Sequence, residues 1–110
     1  MTDDELIDWF EAGTLDPGAF GHRQHVQLTW LYLRRVGRPE AQRRLLTGLR
    51  ALATRAGRPE KFSAPLTLAW IARIDCAREA LGETHSFDDL LRHDPALGDR
   101  AALREATLTL

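Results

Sequence analysis

One cysteine, one methionine and one tyrosine occur in 110 residues, and no apolar run approaches the roughly 20 residues that a bilayer span requires. A single cysteine, Cys76, excludes an intramolecular disulfide. It sits within a helical apolar pattern, where a small buried thiol is expected rather than a nucleophile. The chain has no basic opening either: Met1-Thr-Asp-Asp-Glu-Leu is acidic, the reverse of a secretory signal. Without an export signal or a cysteine pair, a reducing cytoplasm is the expected location. No segment sustains period-two alternation, so no sheet is expected, and there is no repeat or low-complexity stretch. The net charge of −1 leaves little for phosphate, and nucleic acid is not an expected partner.

What the chain does have is helical periodicity. Its length suits one domain spanning 1–110. Thr2 with Glu5 reads as a capping box opening a helix whose apolar face is Leu6, Trp9 and Phe10, stopped at Gly13. After a Thr14-Leu-Asp-Pro-Gly-Ala turn, a long helix covers about residues 20–35 and ends at Val36-Gly37. Arg38-Pro39 marks the break, with Pro39 as a first helical residue. Leu45, Leu49, Leu52 and Ala56 stripe a third helix that closes at Gly57. Ser63 caps a fourth, lined by Leu66, Trp70, Ile74, Ala77 and Leu81 and ended by Gly82. Ser86 with Asp89 starts a short fifth helix to about Arg92, and a last helical piece is expected from Arg100 to about Thr107. The predicted architecture is all-α: a single-domain bundle of four main helices with a short helical C-terminal tail.

Charge is unevenly placed. Residues 1–16 carry six acids and no cation, whereas residues 34–61 carry nine cations against Glu40 and Glu60. The plainer expectation is that the acidic first helix lies beside the basic segment, within one chain or across a homodimer. The functional alternative is docking of an anionic partner.

The chemistry-bearing feature is a pair of histidines. His22, Val26, Thr29, Leu33 and Val36 share one face of the long helix, with His25 and Tyr32 at its border. His22 and His25 thus stand one turn apart at the helix start, close enough to act on one ligand. The unpaired amides of a first turn, together with inward placement, disfavour imidazolium and leave lone pairs free. A metal would need a third ligand; Asp75, Cys76, Glu79 and His85 are the candidates, none has diagnostic spacing, and no metal is assigned. Helix-borne zinc hydrolases space their histidines four apart beside a glutamate, which this sequence lacks. The structural alternative is a hydrogen-bonded pair that merely closes one end of the core. Trp30 and Trp70 read first as core aromatics.

Phe20-x-His22-x-x-His25-Val26, followed by Trp30-x-Tyr32-Leu33, resembles a family of small, uncharacterised bacterial helical proteins. A second block of that family, Lys-Tyr-His-x-Thr-x-Thr-x-x-Trp, is matched by Lys61-Phe62-Ser63-Ala64-Pro65-Leu66-Thr67-Leu68-Ala69-Trp70. A third is matched by Ser86-Phe87-Asp88-Asp89-Leu90-Leu91 with Pro95-Ala96-Leu97 after it. The resemblance implies that His22 and His25 converge with a third imidazole from the second block. Here that position is Ser63, and Pro65 stands in place of a threonine, so the site is changed or vestigial.

The expected function is binding, or acid–base processing, of a small organic molecule in a pocket at the start of the long helix. His22 and His25 would act on the ligand, Tyr32, Ser63 and Thr67 would be polar neighbours, and Trp30 and Trp70 would be walls. No cofactor is implied. The rival expectation is a non-enzymatic interaction module in which the acidic first helix and the arginine-rich third helix mediate dimerisation.

Overall fold

The computed structural model describes residues 1–99 and 101, and these form helices joined by turns, with no strand among them. Five α-helices follow in order: α1 (Asp3–Ala12), α2 (His22–Val36), α3 (Arg38–Arg55), α4 (Ala64–Leu81) and α5 (Phe87–His93). Short 3-10 turns occupy Pro17–Ala19, Pro59–Lys61 and Pro95–Gly98. The helical piece expected from Arg100 onward lies outside the described residues. No helix of the described residues is long and apolar enough to cross a membrane.

The start and stop signals operate as their chemistry requires. Thr2 Oγ1 accepts the Glu5 amide and Glu5 Oε1 accepts the Thr2 amide, both at 3.1 Å. Ser86 and Asp89 repeat the device at α5, at 3.1 and 3.0 Å. Between α2 and α3 the only break is Gly37, at φ 80°; Arg38 is already helical.

Helix α2 is the central element. It touches α1, α3, α4 and the Pro95–Gly98 turn, and every residue from Leu28 to Leu33 is buried. The one-sided stripe expected from periodicity describes only part of its burial, because neighbours close on it from several sides. Leu6, Ile7 and Phe10 of α1, Ala41, Leu45 and Leu49 of α3, and Ile71 and Ile74 of α4 join α2 in one apolar core. Leu90 and Leu97 complete it.

Two local expectations are corrected. Ile7 rather than Trp9 faces the core, and Trp9 is 40% exposed. Cys76 is exposed, two residues from buried Ile74 and so on the far side of α4. Asp75 is buried: Arg78 Nε and Nη2 donate to its Oδ1 at 2.9 and 2.7 Å, and Arg38 Nη1 lies 3.7 Å from Oδ2. A buried carboxylate needs such partners.

Three acids of α1 find partners on other helices of the same chain. Asp4 pairs with Arg35 at 2.9 Å, Glu11 with Arg44 at 3.1 Å, and Asp3 accepts from Gln27 at 2.6 Å. These pairs are solvent-exposed, so each contributes at most about 1 kcal/mol. They orient α1 more than they stabilise it.

Candidate functional site: a histidine-lined cavity

Two helix starts meet at the site. Gly21 precedes α2, and Gln24 Oε1 accepts its amide at 2.9 Å, which fixes the first turn and sets His22 one turn before His25. Ser63 caps α4, its Oγ accepting the Leu66 amide at 3.3 Å, while Thr67 Oγ1 donates to the Ser63 carbonyl at 2.8 Å. Between these starts, with α3 as a third wall, lies a cavity of about 450 Å³. His22, His25, Ser63, Thr67 and Trp70 all line it.

The two imidazoles differ. His22 Nε2 is 2.7 Å from the Leu97 carbonyl oxygen. A carbonyl only accepts, so Nε2 carries the proton and donates it, and in the neutral ring Nδ1 keeps the lone pair. The ring also packs edge-on against Trp70, with centroids 4.8 Å apart. His25 has the opposite condition. Its Nε2 is sealed from solvent and has no hydrogen-bond partner among the described residues, and its ring lies 5.9 Å from that of Phe20. Burial, reinforced by the neighbouring His22, pushes its pKa down to about 4. His25 is therefore a neutral imidazole at pH 7.

The two hydroxyls are partly committed. Ser63 Oγ serves as the α4 cap and retains its own proton for donation; Thr67 donates to Ser63 and retains its acceptor capacity.

Tyr32 and Trp30 are not brought to the cavity. Tyr32 shares a helical face with His25 but stands seven residues on, about 10 Å along the axis. Its hydroxyl donates to Glu11 Oε1 at 2.8 Å beside a separate cavity of about 400 Å³ between α1 and α3. Burial, then the Glu11 hydrogen bond, raises the pKa of that hydroxyl. Tyr32→Phe should cost about 1 kcal/mol in urea unfolding, because Glu11 keeps Arg44 as a partner. Trp30 lies five residues after His25, about 140° round the helix. Its indole N–H donates to His85 Nε2 at 2.9 Å, and His85 Nδ1 in turn donates to the Gly82 carbonyl at 2.8 Å. Both His85 nitrogens are thereby occupied away from the cavity.

Among the described residues no group of three or more His, Cys, Asp or Glu side chains is placed to hold a metal. Residues not singled out as site residues from sequence also line the cavity: Phe20, Leu52, Arg58, Lys61, Phe62 and Leu66. Leu52 belonged to the α3 stripe, but periodicity does not distinguish core from cavity wall. Arg58 and Lys61 lie in a connector, where no periodic signal exists. No protein-family model, curated protein or solved structure matches the chain.

Proposed function

We propose that this protein is a small cytoplasmic single-domain helical bundle whose cavity serves binding, or acid–base processing, of a small organic molecule. The observation that carries the reading is the pairing of a neutral, unpartnered His25 with a carbonyl-oriented His22 on one cavity wall. A buried imidazole nitrogen that the protein leaves without a partner costs about 1–3 kcal/mol unless a bound molecule meets it, which favours a guest beside His25. In an acid–base step His22 is the proton-transferring group, since the Leu97 carbonyl fixes its tautomer, and His25 orients the ligand. The family resemblance supports the same two residues, with Ser63 in place of a third imidazole. Dimerisation through α1 and α3 has less support, because Asp4 and Glu11 are already paired within the chain.

Binding of small organic acids, amides and amines, followed by the indole resonance of Trp70, tests the reading. His25→Ala should weaken binding about tenfold or more while the helical circular dichroism is retained. An unfolded His25→Ala variant, with no ligand found for the wild type, makes the pair structural.

A further inference from the structure

The charge around the cavity is of one sign. Its only charged lining side chains are Arg58 and Lys61; no Asp or Glu lines it among the described residues. Arg58 also lies 3.5 Å from Glu60, but that pair is exposed on both sides and leaves the guanidinium accessible. The two helices that begin at the cavity, α2 and α4, carry no acid in their first turns, whereas α1, α3 and α5 do. Their positive ends are thus uncompensated by side chains where they meet the cavity. Apart from the two histidines, Ser63 and Thr67, the remaining walls are mostly apolar, chiefly Phe20, Leu49, Leu52, Phe62, Leu66 and Trp70.

Resting on the cavity reading above, we infer that the ligand is a small organic monoanion, an aromatic or branched aliphatic carboxylate, seated with its apolar body against Trp70 and Leu52 and its carboxylate toward Arg58 and Lys61. A cation is excluded by the same field. A neutral amide of the same shape can still accept from Arg58 and Lys61 but forgoes the attraction between opposite charges. The volume, near the lower end of the roughly 300–1,000 Å³ of ligand cavities, favours a compact body over an extended chain.

The test uses three isosteric probes: 3-phenylpropionate, 3-phenylpropanamide and 3-phenylpropylamine, titrated against the full chain by NMR. The acid should bind at least about tenfold more tightly than the amide, and the amine more weakly than either. In an Arg58→Gln, Lys61→Gln double variant, both positions being exposed, the advantage of the acid over the amide should fall below about threefold. Equal binding of acid and amide to the wild type, or an advantage that survives in the variant, overturns the anion assignment and leaves the cavity reading intact. Failure of all three probes to perturb Trp70 or the histidines overturns both.

Discussion

Acidification from pH 7 to pH 4 will remove on the order of 3 kcal/mol of folding stability through His25 alone, and a His25→Leu variant will not show that loss. The unfolded-state imidazole titrates near 6.5 and the folded one near 4. Between those values the unfolded chain binds a proton that the native protein does not. Stability therefore rises with pH through this window; the contribution is complete above about 6.5 and is lost as pH falls toward 4. The separation of about 2.5 units, at about 1.4 kcal/mol each, sets the magnitude. Carboxylates held low act elsewhere on the scale. Glu40, hydrogen-bonded by Arg43 and Arg44, is lowered to about 2, and Asp94, held by Arg73, is lowered as well. Their contributions are present above the unfolded carboxylate pKa and are lost as pH falls below it. They are common to wild type and variant and cancel in the difference. At pH 7 His25→Leu should be at least as stable as wild type, because leucine removes the unpartnered Nε2. Urea unfolding at half-unit pH steps measures the difference; parallel curves would contradict it.

Gly48→Ala should destabilise the protein by about 1 kcal/mol, although helix propensity alone favours alanine by about 1 kcal/mol. Gly48 lies inside α3, where a glycine needs a reason. That reason is Phe10. A Cβ at Gly48 would fall within van der Waals contact of Cζ and Cε2 of its ring and 3.1 Å from Cε1. Phe10 is itself 6% exposed and packs against Phe20 and Tyr32, with centroids 6.3 and 6.2 Å away, so displacing its ring disturbs both contacts. Overpacking of this kind costs about 1–3 kcal/mol and outweighs the propensity gain. In a Phe10→Ala background the sign should reverse, with Gly48→Ala neutral or stabilising. Denaturant midpoints of the four proteins in that cycle check both statements; additivity would show that the glycine is not there for the ring.

Much of the helical layout is legible in the sequence because local chemistry dictates it. The Thr2–Glu5 and Ser86–Asp89 boxes and the stops at Gly13, Gly37 and Gly82 each act through neighbours within a few residues. Burial was legible only where one face decides it. Helix α2 is enclosed on several sides, so its stripe understates the core. Leu15 and Leu97 are buried from turns, where no period exists to mark them. Asp75 resembles a surface acid until Arg78, one turn on, and Arg38, from another helix, are seen to hold it.

The site follows the same rule. His22 and His25 were visible as a pair, and the helix start explains their placement. Periodicity gives the angle round an axis but not which neighbour stands at each height, so Tyr32 was grouped with a cavity about 10 Å away along the helix. Trp30 is an aromatic of the same helix as the two histidines, but its partner His85 comes from a turn 55 residues later, which no local spacing marks. Arg58 and Lys61 became visible as lining residues only once the connector was folded against α2 and α4.

The central claim is that two unlike imidazoles face a cavity that takes a small molecule. Ring-nitrogen chemical shifts of His22 and His25, recorded on ¹⁵N-labelled protein at pH 7 with and without a panel of small organic acids, amides and amines, test it most directly. Expected are a neutral His25 ring and a His22 ring with a proton on Nε2, with at least one class of compound moving both sets of resonances. Two rings that stay unmoved by every compound at millimolar concentration would contradict the claim.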